Sequence, residues 1–289
     1  MATTGSVDRS NLFSVEGLVA VVTGGGTGIG RMIATALENN GATVYIVGRR
    51  VEVLETAAKE SNKFGKIFPL QGDVTSKDSL QSLAETIKTR HGYINLLVNN
   101  SGVMFSPPAR YSLGPPKDIK DLQSRLWNYT TAEHFAKTFE VNCTAVYFTT
   151  VAFLELLDAG NRQGGIAGVT SQVITVSSIA GLRRDSQQFN IAYSMSKAAV
   201  THLGKTLANI LKDQKIRSNI IAPGLYPSEM TVDMWSEELV TKGIPLQRGG
   251  DNQDMGGLAL FLASRAGAYV NGTLHISDGG RIGLFSSTY

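Results

Sequence analysis

Seven short apolar runs punctuate the chain, at 18–23 (LVAVVT), 42–47 (ATVYIV), 66–71 (KIFPLQ), 94–98 (INLLV), 172–177 (QVITVS), 217–222 (RSNIIA) and 273–277 (TLHIS). Most are apolar throughout and rich in β-branched residues, the pattern of parallel strands covered on both faces. The stretches 29–40, 51–62, 77–91, 132–157 and 192–212 carry apolar residues at helical spacing instead. Alternation of the two predicts a doubly wound α/β sheet, mostly parallel and seven-stranded, with helices on both faces. Neither an internal repeat nor a low-complexity linker interrupts it, so the expectation is a single domain over 1–289, with 1–16 a loose N-terminal tail. Two stretches break the alternation and read as irregular insertions: 104–131, with Pro107, Pro108, Gly114, Pro115 and Pro116, and 158–171, with Gly160, Gly164, Gly165 and Gly168. Long loops in a compact domain are often functional.

Composition narrows the partners. With 42% hydrophobic and 18% charged residues the chain has an ordinary globular make-up. Its net charge of +3 comes from scattered basic residues rather than a Lys/Arg block, so nucleic acid is not an expected partner. The single cysteine, Cys143, excludes an intrachain disulfide and a Cys-based zinc site, and reads as a buried structural thiol. His91, His134, His202 and His275 show no paired metal spacing, and no metal is implied. No apolar stretch approaches the roughly 20 residues that cross a bilayer, and the first dozen residues lack the basic start and apolar stretch of a secretory signal. The expected location is cytoplasmic, with no membrane partner.

Chemistry concentrates at strand ends. After the first run comes Thr23-Gly24-Gly25-Gly26-Thr27-Gly28-Ile29-Gly30 and then a helix, a junction where absent side chains let backbone N–H groups approach a pyrophosphate. After the second run, where dinucleotide folds often place a carboxylate for the ribose 2′-hydroxyl, stand Arg49 and Arg50. They can pair with a 2′-phosphate, which favours NADP(H) over NAD(H), although Glu52 lies just beyond and two arginines can also simply begin a solvated helix. Further along come Asn99-Asn100-Ser101-Gly102, Ser177-Ser178 and Tyr193-Ser194-Met195-Ser196-Lys197. Tyr193 and Lys197 are four apart and share a helix face. A phenol ionises near pH 10, so a neighbouring ammonium is what would make it useful near neutrality.

These motifs, in this order and over about 17–280, resemble the short-chain dehydrogenase/reductase family, in its typical single-domain Tyr-x-x-x-Lys branch with a Rossmann fold. The likeness is greatest to bacterial and fungal β-ketoacyl reductase-like members, especially the rhamnolipid-pathway type, through 222–231 (APGLYPSEMT) and Asp278-Gly279-Gly280. The resemblance implies that Tyr193 is the general acid of carbonyl reduction and that Ser178 holds the substrate oxygen. Lys197 would bind the nicotinamide ribose and lower the tyrosine pKa, and Asn142 would support a proton-returning water chain. It further implies an NADPH/NADP+ site made by Gly24, Thr27, Gly28, Ile29, Gly30, Arg49, Arg50, Asp73, Val74, Asn100, Ser101, Pro223, Gly224 and Ser228, together with Tyr193 and Lys197. Asp73 would meet the adenine, Asn100 the adenosine-side ribose, and Ser228, where the family usually has Thr, the nicotinamide carboxamide.

The implied reaction is NADPH-dependent reduction of a ketone to a secondary alcohol. The substrate is a β-ketoacyl thioester or a polyketide-like ketone of secondary metabolism, and both remain open. The alternative is an NADP-binding sensor, scaffold or non-redox catalyst without ketone turnover. The resemblance implies a homodimer or homotetramer. The 104–131 insertion is expected to form a lid or wall at the substrate cleft, with Trp127 and Tyr129 either lining its mouth or anchoring the loop.

Overall fold

The computed structural model describes residues 5–105, 116–185, 190–232 and 235–289. All seven expected strands form, within a residue or two of their expected ends: β1 Val19–Thr23, β2 Thr43–Gly48, β3 Ile67–Gln71, β4 Leu96–Asn99, β5 Gln172–Val176, β6 Arg217–Pro223 and β7 Leu274–Ser277. They make one sheet in the order β3-β2-β1-β4-β5-β6-β7, and its six pairings are parallel, with Val21 opposite Tyr45 on one side and Leu97 on the other. The chain runs outward from β1 to β3 and then crosses back to place β4 beside β1. That reversal opens a crevice beyond the carboxyl ends of β1 and β4.

Why the strands read as continuously apolar is plain from their neighbours. Ala20, Val22, Val44 and Ile46 pack with Ile33 and Leu37 of α2 (Gly28–Asn39), Leu54 of α3 (Val51–Ser61) and Leu262 of α11 (Asn252–Ala263). The alternate residues Val19, Val21, Tyr45 and Val47 pack with Leu83 and Ile87 of α4 (Lys77–His91), Leu156 of α8 (Leu154–Gln163) and Leu207 of α9 (Ile191–Ile210). Both faces are therefore covered, and period-two alternation serves two apolar sides rather than one.

The helical pattern was coarser than the helices. The 132–157 stretch divides into α6 (Ala132–Phe139), a π turn at Glu140–Thr144, α7 (Ala145–Ala152) and, after Phe153, α8, which turns by 47°. A helix apolar on most of its circumference hides an inserted π turn, because the resulting phase shift still leaves apolar residues facing the core. The expected irregular stretch 158–171 is helical as far as Gln163: Gly160 is buried there, leaving no room for a side chain against Ile94 O and Ser171. The expected loose tail is only partly so, since α1 (Arg9–Leu12) forms and Val15 is fully buried. Within the first insertion α5 (Ile119–Trp127) forms, capped by Asp118, and Pro107, Pro108, Gly114 and Pro115 lie outside the described residues. A short α10 (Glu237–Gly243) precedes α11. Among the described residues no single helix is long and apolar enough to cross a membrane.

Two adjacent glycines of α11 should behave oppositely. A Cβ on Gly256 would sit 2.7 Å from Ala36 Cβ of α2, whereas one on Gly257 meets nothing within 4 Å. Gly256→Ala should cost roughly 1–3 kcal/mol through overpacking, and Gly257→Ala should add about 0.5–1 kcal/mol through helix propensity. Thermal melting decides it, and shifts of the same sign would refute the close α2–α11 crossing.

Candidate active site

The crevice is a cavity of about 600 Å³ bounded by the segments that leave the sheet. Gly24, Gly26, Thr27, Gly28 and Ile29 follow β1, Arg49 and Arg50 follow β2, and Asp73, Val74 and Thr75 follow β3. Asn100, Ser101, Gly102 and Val103 follow β4, Val176 and Ser177 close β5, and Ser228, Glu229 and Met230 follow β6. Tyr193 and Lys197 reach in from α9, Lys137 and Val141 from the α6 region. Strand order sets β2 and β3 on one side of the switch point and β5 on the other, so the two arginines and the tyrosine–lysine pair stand at opposite ends.

The middle of the cavity is a glycine turn held by threonine and asparagine. Gly24 has φ +64, and a Cβ there would lie 2.9 Å from Asn100 Nδ2, so only glycine fits. Thr23 Oγ1 accepts N–H bonds from Asn100 and Ser101, at 3.0 and 3.1 Å. Asn100 Nδ2 donates in return to Thr23 O (3.0 Å) and Gly24 O (3.2 Å). These bonds weld the β1 turn to the β4 turn. Thr27 begins α2 without capping it through its side chain, leaving the positive end of the helix directed at the cavity wall. Bare glycine backbone, a helix N-terminus and nearby guanidinium groups suit the diphosphate of a dinucleotide.

At the arginine end, Arg50 donates to both carboxylate oxygens of Glu229, which raises its already high pKa further. Burial pulls the Asp73 carboxyl upward, but hydrogen bonds from Thr75 N–H and Oγ1 (2.9 and 2.8 Å), aided by the charges of Arg49 and Lys137, outweigh it and hold it below its ordinary range.

At the other end, Asn190 caps α9 by accepting Tyr193 N–H at 2.9 Å and donates to Phe105 O at 2.8 Å, fixing where the tyrosine's turn begins. Ser177 Oγ bonds to Lys197 O (2.8 Å) and Thr201 (2.6 Å), holding α9 against the end of β5. Lys197 Nζ donates to Val176 O at 2.9 Å and lies 5.6 Å from the Tyr193 ring centre. Both side chains are buried. Burial drives the lysine pKa down to about 8 and the tyrosine pKa up to about 12, the latter opposed by a hydrogen bond with the Ser178 side chain. Burial thus opposes the acidification expected of the phenol, and Lys197 Nζ is engaged with the Val176 carbonyl.

Asn142 sits in the π turn, buried, its amide donating to Val103 O (3.0 Å) and Ser196 Oγ (2.9 Å) and accepting Val103 N–H (2.8 Å). A Cβ on Gly102 would meet Asn142 Oδ1 at 3.3 Å and Lys197 Nζ at 3.5 Å, so both polar groups face the same bare backbone.

Of the residues expected from sequence, Asn142, Ser178, Gly30, Pro223 and Gly224 do not line the cavity. Gly30 lets α2 press onto Gly24 O and Asn100, and Gly224 lets β6 pass Asp278. Cys143, its thiol pKa raised by burial, donates to Ser196 O at 3.1 Å. Tyr129 is buried and anchors its loop, while Trp127 is 81% exposed. The sequence reading passed over Lys137, Val141, Met230 and Glu229. Lys137 and Val141 carried a usable signal, one helical turn apart and just ahead of Asn142, whereas Glu229 carried none.

Residues 24–281 match the family model described as enoyl-(acyl carrier protein) reductase. The chain is 49% identical to the short-chain dehydrogenase/reductase PhomF of Diaporthe leptostromiformis, over 99% of this chain and 98% of that one. It is 32% identical to the rhamnolipids biosynthesis 3-oxoacyl-(acyl-carrier-protein) reductase of Pseudomonas aeruginosa, over 93% and 97%. Among solved structures, the Pseudomonas aeruginosa RhlG/NADP active-site complex superposes with a TM-score of 0.80 at 31% identity, covering 94% of this chain and 98% of that one.

Proposed function

We propose, from the premise that the chain belongs to the short-chain dehydrogenase/reductase family, that it reduces a ketone to a secondary alcohol with NADPH, and runs as an alcohol dehydrogenase in reverse. The observation that carries this reading is the buried Tyr193 beside Lys197, whose Nζ lies 5.6 Å from the tyrosine ring centre, set at the cavity end opposite Arg49 and Arg50. A reduced nicotinamide bound there supplies the hydride. Gly24, Thr27, Gly28 and Ile29 would hold the diphosphate, Arg49 and Arg50 the 2′-phosphate, Asp73, Val74 and Asn100 the adenosine half, and Lys197 and Ser228 the nicotinamide half.

With its pKa near 12, Tyr193 keeps its proton throughout the neutral range and is ready as an acid. It gives up that proton only when an alkoxide, a far stronger base, develops within reach. Ser178 donates to the same oxygen, and two preplaced donors at a growing negative charge are the core of such catalysis. Lys197 supplies positive charge beside the phenolate left behind. Asn142 Oδ1 and Lys197 Nζ facing Gly102 supports a role in returning the proton through ordered water.

The 3-oxoacyl-(acyl-carrier-protein) reductase relative supports a β-ketoacyl substrate, with a polyketide-like ketone as the second candidate. Exposed Tyr147 and Val151 on α7 and Met195 and Ile210 on α9 support self-association into a dimer or tetramer. We read the chain as one cytoplasmic catalytic domain.

The test is a ketone panel assayed with NADPH and NADH, with pH as the second axis. Lys197 is an ammonium below its pKa of about 8 and neutral above it. Reduction kcat/KM should therefore hold below pH 8 and fall as pH rises through it, by up to tenfold per pH unit. Lys197→Met should remove that limb. NADPH binding without turnover of any ketone would favour the sensor or scaffold reading, and an unchanged limb in the variant would acquit Lys197.

A further inference from the structure

Reduction chemistry does not account for the ion pair at the arginine end of the cavity. Arg50 Nη1 and Nη2 donate to Glu229 Oε1 and Oε2 at 3.2 and 2.8 Å, joining the segment after β2 to the turn after β6. Both residues line the cavity. Glu229 rides on a fixed turn: Thr231 Oγ1 donates to Tyr226 O at 2.6 Å and accepts Ser228 N–H at 3.1 Å. That turn presses on the phosphate-binding loop, since a Cβ on Gly28 would fall 2.8 Å from Ser228 Cβ. The carboxylate is thus held at the Arg50 guanidinium, which joins the segment after β2 to this turn.

We propose that Glu229 determines cofactor specificity by occupying Arg50 as an internal anion, which the 2′-phosphate of NADP(H) must displace and NAD(H) need not. The inference rests on the reading that NADP(H) is the cofactor. Carboxylate and phosphate compete for the Nη1–Nη2 edge that Glu229 holds, so a 2′-phosphate docking end-on must take that edge from the carboxylate. The side chains of the pair are 55% and 61% exposed, and a pair so wet is weak enough to be exchanged for a phosphate dianion. Glu229 therefore lowers the affinity for NADP(H) without barring it. Binding of the phosphorylated cofactor releases the 228–231 turn from β2.

Calorimetric titration with NADP+ and NAD+ tests this without turnover. Glu229→Gln keeps the shape and removes the charge. It should tighten NADP+ binding roughly 2- to 5-fold at low ionic strength, a gain of the size expected from freeing one exposed ion pair, and leave NAD+ within twofold. Arg50→Ala should weaken NADP+ binding and abolish the effect of Glu229→Gln in the double variant. Unchanged NADP+ affinity, or equal tightening of both cofactors, overturns the inference and spares the cofactor reading. A gain that persists without Arg50 also overturns it, because the charge would then act at a distance. Wild-type protein that binds NAD+ more tightly than NADP+ overturns the cofactor reading itself, and the inference with it, in an arm that needs no variant.

Discussion

Tyr193→Phe should lower the rate of ketone reduction by about 10²- to 10⁴-fold, the usual yield of a positioned general acid, while NADP+ binds as before. The substitution keeps the aromatic ring, which is only 8% exposed in the wall of the cavity, and removes a single oxygen. Packing is retained, so the loss falls on the chemical step. The Ser178 side chain still accepts Ala180 N–H at 3.1 Å, and can still polarise a carbonyl. Residual activity above solution should therefore remain. Single-turnover kinetics with saturating NADPH read the effect directly. A rate within tenfold of wild type would mean that the proton comes from elsewhere, with Ser178 or water the remaining donors. A matching loss of NADP+ affinity would mean that the ring, not the hydroxyl, matters most.

Much of this was legible in the sequence because it is local. The glycine turn, the Tyr193–Lys197 spacing and the seven apolar runs are each set within about eight residues, and each has one physical reading once placed at a strand end. What stayed hidden depends on residues far apart. The Arg50–Glu229 pair spans 179 positions, and a glutamate in a polar turn gives no periodic or compositional sign of where it points. The π turn that aims Asn142 inward hides inside an apolar helical pattern. Burial is non-local in the same way. Spacing shows that Lys197 and Tyr193 are neighbours, but only the packed core shows how thoroughly both are dried out, and burial sets the sign of both pKa shifts. The 104–131 insertion was the hardest to read. Its proline pairs suggested irregular chain, yet Asp118 caps a two-turn helix whose apolar residues Ile119 and Trp127 face outward.

The second large effect is on the fold and the ligand together. Gly30 lies in the first turn of α2, where a Cβ would run into Gly24 O and Asn100 Nδ2, the two groups that fix the phosphate turn. Backbone on one side and a doubly bonded amide on the other cannot step aside as a flexible side chain would. Gly30→Ala should therefore destabilise the chain by about 2–3 kcal/mol, lowering Tm by about 4–8 °C. It should also weaken NADP+ binding, because α2 can relieve the clash only by lifting off the turn proposed to hold the diphosphate. Gly26→Ala is the informative partner. Its Cβ would meet Val53 Cγ1 at 3.1 Å and Leu54 Cδ2 at 3.3 Å, side-chain atoms that can yield, while the new methyl narrows the cavity wall. That variant should lose only about 1 kcal/mol, the low end for overpacking against side chains that can shift, yet still lose NADP+ affinity. Calorimetry and melting curves on the two proteins separate the roles. Equal Tm losses would show that the turn is not pinned through Gly30, and full NADP+ affinity in both would remove the glycine turn from the binding site.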